Sequence, residues 1–449
     1  MKEDVTYFFK RFLATHPNPY CRATPKQVDS IKTALLQKID KGLSKENFLN
    51  ELGKLNGLLD GHSAIETSYL ITRESDTLLL PPIVRVNSNH TLSINNTVLP
   101  ATNTVTSING YPTNKLISMM NHMLNADPDV VSRGNVERFF PILLVRLGIL
   151  PPYVIRARLS HADTTFTIKG YKYGPNEQDN LFRQCRNIPL NNKKEEVGCD
   201  IYPKSGIAIV YFNTCSPQNY DTFKGKIDSI FIQIEKRNAK HLFIDNSRNE
   251  GGSSIWGRYL VDKLSHRAYT YSFYSRINVT PTTYKALCDL TTKFLKTGNG
   301  KHPSKELSDA VKEYRQLKVG AVHIDSSTTR IPAVTNGYSG KVYMLLSSCC
   351  GSSGSDAAWQ FRFAKVGKIL GDKSGSANPM YVYPAEFALP NSKVKFRISV
   401  REGGYVTFQG KNMAFLKEPE PDVPFNINPF KTSYSEQELL ALLRLANRK

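Results

Sequence analysis

The stretch between residues 341 and 364 constrains the fold of this chain most strongly. Its first part, residues 341–346, is an apolar run typical of a buried β-strand, and its last part, residues 357–364, carries apolar residues at helical spacing. The serines, cysteines and glycines between them (residues 347–355) form tight turns and helix N-caps. A strand, a tight turn and a helix N-terminus place a hydroxyl where the helix dipole and free N–H groups converge. The pattern fits an acyl-transfer nucleophile, and it also fits an ordinary capped strand-to-helix turn.

Strands and helices alternate throughout the second half of the chain. Residues 207–212 and 241–245 read as buried strands, and an amphipathic helix is predicted between them. This β-α-β pattern predicts a largely parallel or mixed sheet covered by helices, in a domain spanning residues 200–430. Only residues 280–335 depart from it, because they read as a charged helical insertion.

A pair of glycines, Gly251 and Gly252, follows the strand that ends at Asp245. Adjacent glycines allow a sharp backbone turn and expose bare N–H groups, which can bind an anion or a developing oxyanion. The spacing matches no phosphate-binding loop. A plain glycine turn is the alternative interpretation.

The first half of the chain divides into two further predicted domains. Residues 1–62 read as a cap of three helices, the third running from Ser44 to about Leu59. Residues 76–180 read as β-rich, with an Ile-Asn-Gly turn at 108–110 that precedes an amphipathic helix. This motif resembles a PDZ-like peptide-binding module, and a generic small β domain is the alternative. A final helix is expected in residues 431–449.

Composition narrows the class of protein. A length of 449 residues predicts two or three domains. The formal net charge of +20 favours anionic partners in general, but no nucleic-acid-binding motif is present, so we predict no nucleic-acid function. No apolar run reaches the ~20 residues of a membrane span, and no signal peptide is visible at the N-terminus.

The seven cysteines are an odd number and include no CxxC pair, which argues against a zinc site. Cys185 and Cys199 flank a polar loop and could form a disulfide in an oxidising compartment. Cys349 and Cys350 are expected to be buried residues at the end of a strand.

A histidine lies in the Asp-Gly-His-Ser sequence of residues 60–63, directly after the third predicted helix. By itself, His62 would be interpreted as a surface residue or a partner of the helix dipole.

The order of these motifs resembles the C-terminal processing and tricorn-core family of serine peptidases, over roughly residues 1–425. The resemblance implies an α/β multidomain chain: a ClpP/crotonase-like core, an N-terminal helical cap and a PDZ-like β-rich insertion. It also implies hydrolysis of peptide bonds, often near the carboxyl ends of substrates.

Transferred position by position, the family's nucleophile is Ser353, with Ser352 and Ser355 as its neighbours. The oxyanion donors are Gly354 together with Gly251 or Gly252. Ser247 occupies the position of the family's usual arginine, and Arg248 lies one position later.

The general base implied by the resemblance is His62, as in the tricorn-like branch, since an imidazole can accept the serine proton at neutral pH. Lys373 does not match the lysine of the other branch, so a Ser–Lys dyad is not expected. The acid that orients His62 is assigned to Glu402, with Glu418 as an alternative.

These assignments predict a serine endopeptidase or carboxy-terminal processing peptidase that acts on peptides or proteins and uses no cofactor or metal. By its resemblance it is expected outside the cytoplasm, with its leader already removed. Three alternatives are open: a catalytically impaired relative that binds peptides or ligands, a cysteine hydrolase that uses Cys349 or Cys350, and a polyanion-binding protein.

Overall fold

The computed structural model describes residues 1–66, 79–81, 84–87, 91–94, 104–126, 133–159, 162–172, 195–297, 312–334, 337–410, 412–425, 427–428 and 431–448. This part of the chain is a mixed α/β structure with four β-sheets. Cys185 of the predicted Cys185–Cys199 pair lies outside the described residues, as do parts of the predicted 76–180 domain.

Three helices form the N-terminal region, as predicted: α1 (Lys2–Thr15), α2 (Pro25–Asp40) and α3 (Lys45–Lys54). Thr24 and Gln27 form a capping box at the start of α2. The third helix was predicted to continue to Leu59, but the chain tightens into a 3-10 turn at Leu55–Leu58. Gly57 lies so close to the carbonyl of His122 that a Cβ would be 1.9 Å from its oxygen, so tertiary contact shapes this end.

The cap helices pack on a small antiparallel sheet made of β1 (Ala64–Ile65), β17 (Lys395–Ile398) and β16 (Ala385–Ala388). Their shared core joins Phe8 and Phe12 to Phe396. Residues 60–63 are thereby held beside the end of β17, although more than three hundred residues separate them in sequence.

A second sheet contains the β-rich region. Its strands are β2 (Val84–Val86), β3 (Leu92–Ile94), β4 (Thr104–Ile108), β6 (Tyr153–Leu159) and β7 (Ala162–Ile168), with β5 (Tyr111–Pro112) paired to β4. The predicted turn is a hairpin in which Asn109 and Gly110 have positive φ (46° and 79°). Helix α4 (Thr113–Asn121) follows as predicted, and α5 (Arg133–Arg146), which was not predicted, completes the core.

The central sheet has the order β20 (Val423–Pro424), β14 (Gly367–Gly371), β13 (Lys341–Leu346), β10 (His241–Asp245), β9 (Ile207–Phe212), β8 (Val197–Tyr202). All neighbouring pairs are parallel except β8 with β9, which confirms the predicted mixed sheet. Helices α6 (Tyr220–Lys236), α7 (Ser254–Asp262) and α9 (Ser353–Phe363) cover one face. Helix α10 (Glu436–Ala446) covers the other.

The fourth sheet is antiparallel: β12 (Val322–Ile331), β11 (Tyr269–Asn278), β18 (Arg401–Gln409) and β15 (Met380–Val382), with β19 (Asn412–Phe415) on β18. The insertion predicted to be helical does begin with α8 (Pro281–Thr297). However, Val322–Ile331 is a strand, because its β-branched residues pair along the whole length of β11. Within the described ranges, every helix is too short or too polar to span a bilayer.

Candidate active site

Ser353 is the first residue of α9, at the carboxyl end of β13. The turn before it is strained, since Ser352 has φ 51° and ψ −128°, a combination rare for a residue with a side chain. Two hydrogen bonds hold this turn: the Ser352 amide donates to Ser376 Oγ (2.7 Å), and the Gly351 amide donates to the carbonyl of Asn249 (2.9 Å). The surroundings therefore fix the backbone conformation that presents Ser353.

The predicted Gly251-Gly252 turn lies against the predicted turn that precedes Ser353. Gly251 and Gly252 have φ of 104° and 138°, which favours glycine. A Cβ on Gly251 would lie 2.6 Å from Ser352 Cβ and 2.8 Å from the Ser353 nitrogen. The Ser353 side chain is largely buried (7% exposed), and its hydroxyl donates to the Gly252 carbonyl at 2.8 Å. Only glycine fits this close approach.

The predicted oxyanion donors differ in their hydrogen bonding. The Gly251 amide donates to Asn249 Oδ1 (3.0 Å), and the Gly354 amide donates to the Gly351 carbonyl (2.9 Å). Among the described residues, the amides of Gly252 and of Ser353 itself have no acceptor. The Ser353 amide was missed from the sequence, although the first N–H groups of any helix lack intrahelical partners.

The strand end before the glycines is tied to the same turn. Asn246 donates from its side-chain amide to the Gly354 carbonyl at 2.8 Å. Ser247, at the position of the family's arginine, donates to Asp245 Oδ1 at 2.6 Å, while Arg248 donates to Asn213 Oδ1 at 3.0 Å. Burial raises the pKa of the Asp245 carboxyl, against the hydrogen bond from Ser247 and the charge of Arg248.

The cysteines beside the turn are poorly suited to nucleophilic chemistry. Burial raises the pKa of Cys349 to about 12 and that of Cys350 well above its ordinary value, so both thiols are protonated at neutral pH. Cys350 is fully buried, as predicted, whereas Cys349, which was also predicted to be buried, is only partly buried and lies against Gly134. Burial likewise raises the pKa of Asp356, in the first turn of α9, to about 7.

His62 lies in a turn built around the buried Asp60. Its amide donates to Asp60 Oδ1 (2.8 Å) and its carbonyl accepts from Arg397 Nε (2.9 Å). Its buried ring Nδ1 has no hydrogen-bond partner among the described residues. No hydrogen bond joins His62 to Ser353 within the part of the chain that the structure describes.

Glu402 lies on β18, in register between Tyr381 on β15 and Arg276 on β11. Glu402 is 8% exposed, and its carboxylate accepts a 3.0 Å hydrogen bond from the Tyr381 hydroxyl. The structure shows no hydrogen bond between Glu402 and His62, both of which are described.

Glu418, the alternative acid, and Lys373, the lysine considered for a Ser–Lys dyad, both have other partners. Glu418 accepts from the Asn378 amide (2.7 Å). Lys373 forms an exposed ion pair with Glu420 (2.7 Å). Among the described residues, no group of three or more His, Cys, Asp or Glu side chains is arranged to bind a metal ion.

The fold that surrounds this site is also found in solved structures of CPAF. The crystal structure of mature CPAF matches with a TM-score of 0.61 and 12% identity, over 99% of this chain and 97% of that one. A serine-to-alanine mutant of CPAF matches with a TM-score of 0.63 and 13% identity, over 100% and 98%. Mature CPAF complexed with lactacystin gives 0.60 and 13%, over 99% and 98%. No protein-family model and no curated protein matches the sequence.

Proposed function

We propose that this protein is a serine peptidase in which Ser353 is the nucleophile, His62 the general base and Glu402 the acid that orients the base. One observation carries the proposal: the Gly251-Gly252 turn contacts the strained turn that presents Ser353 at the start of α9. The resemblance assigned these motifs to one site although a hundred residues separate them, and the CPAF-like fold supports that assignment.

The reaction follows from these roles. His62 accepts the proton of Ser353 as Oγ attacks the carbonyl carbon of a peptide bond. Among the described residues the amides of Gly252 and Ser353 have no acceptor, and they donate to the oxyanion of the tetrahedral intermediate. His62 then passes its proton to the leaving amine, and water hydrolyses the acyl-enzyme by the same steps.

The domain roles extend the proposal. Residues 200–430 form a ClpP/crotonase-like catalytic core, residues 1–62 are its cap, and the segment 431–449 carries a supporting helix, α10. Residues 76–180 are a PDZ-like module in which the Asn109-Gly110 hairpin and α4 support binding of an extended peptide. The substrate is a peptide or protein, cleaved near its carboxyl end, and the protein acts outside the cytoplasm.

A fluorophosphonate probe tests the nucleophile directly. We expect labelling of the wild-type chain, loss of labelling in Ser353→Ala, and a large decrease in His62→Ala. Ser355→Ala is the matched control, because its hydroxyl donates to the Cys350 carbonyl inside the same helix start (3.4 Å). Labelling that persists in Ser353→Ala, or that is absent from the wild type, would contradict the proposal. Lactacystin, which is bound in a CPAF structure, is a second probe and should compete with the label.

A catalytically impaired peptide-binding relative is the second candidate. It is favoured by the Ser353 hydroxyl, which donates to the Gly252 carbonyl and not to His62. Such a protein would bind peptides equally well as wild type and as Ser353→Ala, and neither form would be labelled.

A further inference from the structure

The carboxylate of Asp60 is completely buried and accepts five hydrogen bonds. Oδ1 accepts from the amides of His62 (2.8 Å) and Ser63 (3.1 Å) and from Ser399 Oγ (2.9 Å). Oδ2 accepts from His16 Nε2 (3.0 Å) and from Ser63 Oγ. Asp60 and His16 are 0% and 1% exposed. A buried ion with this many donors defines the geometry of the turn, because buried donors that lose their acceptor are costly.

The hydrogen bonds of His16 fix its tautomer. The backbone amide of Asn18 donates to His16 Nδ1 at 3.0 Å, so this nitrogen carries no proton. The proton of the neutral ring is therefore on Nε2 and points at Asp60. His16 cannot become an acceptor toward residue 60 without losing its bond with Asn18.

The same cluster reaches the strand that carries Glu402. Ser399, which donates to Asp60, lies three positions before Glu402. The ring of His16 is 4.7 Å from the ring of Tyr381, and Tyr381 donates to Glu402. Asn18 also donates to the Tyr381 hydroxyl (3.3 Å). The Asp60 cluster thus contacts both the backbone of His62 and the hydrogen-bond donor of Glu402.

We infer that Asp60 and His16 are positioning residues of the proposed peptidase: their buried pair sets the backbone of His62 relative to the strand that carries Glu402. The inference rests on the proposed function. It assigns no contact with substrate to either residue.

Asp60→Asn tests the pair. Its Oδ1 can still accept from His62, Ser63 and Ser399, but its amide group faces the Nε2 proton of His16, so two donors oppose each other. The resulting shift of the turn lowers the maximal rate of Ser353-dependent labelling by about 10²-fold. In the double variant Asp60→Asn/His16→Gln, the introduced glutamine carbonyl can accept from the introduced asparagine amide, and we expect at least about a tenfold recovery. No recovery in a folded double variant would overturn the role of His16.

Asn56→Ala is the matched structural control. Asn56 is buried and bonds both backbone groups of Ile65, directly after the same turn, and the structure shows no hydrogen bond between Asn56 and Asp60, both of which are described. We expect it to lose stability and keep the wild-type labelling rate. If Asp60→Asn also keeps the wild-type rate, Asp60 is not a positioning residue. If Asp60→Asn does not fold, Ser399→Ala is used, and an unchanged labelling rate in that variant overturns the inference.

Hydrogen exchange separates this inference from the proposed function. The amides of His62 and Ser63 should exchange faster in Asp60→Asn and recover protection in the double variant, whether or not the protein hydrolyses peptides. A wild type that is not labelled contradicts the peptidase proposal. Unchanged exchange of these two amides contradicts the Asp60–His16 pair.

Discussion

The hydroxyl of Ser353 donates a 2.8 Å hydrogen bond to the carbonyl oxygen of Gly252, 101 positions away in sequence. This bond joins the turn after β13 to the turn after β10, and adjacent parallel strands bring these two turns to the same edge of the central sheet. Ligands of open α/β sheets bind at such carboxyl edges. In the proposed reaction the hydroxyl must leave this carbonyl and turn toward a base.

Gly251→Ala tests the contact between the two turns. A Cβ at this position would meet Ser352 Cβ at 2.6 Å and the Ser353 nitrogen at 2.8 Å, and neither atom belongs to a flexible side chain. We expect labelling and peptide hydrolysis to decrease by about 10²-fold or more, as when one oxyanion donor is lost. The free energy of unfolding should fall by about 1–3 kcal/mol because of overpacking. Probe kinetics and denaturant unfolding measure the two effects.

The control for this prediction is Gly42→Ala. Gly42 also has a positive φ (90°), but no atom of the described residues lies within 4 Å of its added Cβ. In Gly42→Ala the free energy of unfolding should fall by a similar amount, and labelling and peptide hydrolysis should be unchanged. Equal activity of the two variants would show that the Gly251 contact is unimportant for the chemistry.

Tyr381→Phe removes the hydroxyl that donates to Glu402. Because a hydrogen bond to a buried charged group contributes about 1.5–3 kcal/mol, we expect the hydrolytic rate to fall about tenfold if Glu402 orients His62. Tyr338→Phe is the control, since its buried hydroxyl donates to the Ala239 carbonyl (2.9 Å), just before the amino end of β10 in the central sheet. The test is the steady-state hydrolytic rate of both variants. Equal losses of rate would contradict the role given to Glu402.

Acid should destabilise the protein through Asp60. Burial alone would raise the pKa of this carboxyl, but hydrogen bonds from His16 and Ser63 lower it to about 2. A depressed folded-state pKa contributes stability above the unfolded pKa of 3.8, and this stability is lost as the pH falls toward 2. The contribution is about 2 kcal/mol. Unfolding free energies measured from pH 5 to pH 2 should fall less steeply for Asp60→Asn than for the wild type.

Asp356 should have the opposite pH dependence. Burial raises its pKa to about 7, against the hydrogen bond with Tyr405 and the charge of Arg401. The folded state therefore retains a proton that the unfolded state has released, and stability decreases as the pH rises from about 4 to 7. Asp356→Asn should increase the free energy of unfolding at pH 8 by up to about 4 kcal/mol and have little effect at pH 4. An Asp356→Asn protein that is equally destabilised at pH 4 and at pH 8 would contradict this prediction.

Local features of this chain could be read from its sequence. The apolar run of β13, the small-residue turn and the apolar spacing of α9 predict the strand-turn-helix that presents Ser353. Thr24 and Ser44 predict helix starts, because a cap needs only residues three positions apart. The resemblance added the assignment of His62 and the glycines to one site.

Other features depended on partners far away in the chain. Residues 322–331 are a strand because β11 supplies their hydrogen bonds, and the 3-10 turn that contains Gly57 lies against the carbonyl of His122. Neither partner is visible in a short window of sequence. The same holds for Asp60, whose donors include His16 and Ser399.

Sequence alone determined the turns, the helix caps and the spacing of apolar residues along strands and helices, since these depend on residues close together in the chain. Tertiary structure alone decided which backbone amides near Ser353 are free, and what surrounds His62 and Glu402. Hydrogen bonds there join segments up to 339 positions apart. Such contacts form only when the sheets and the cap pack together, so no local pattern encodes them.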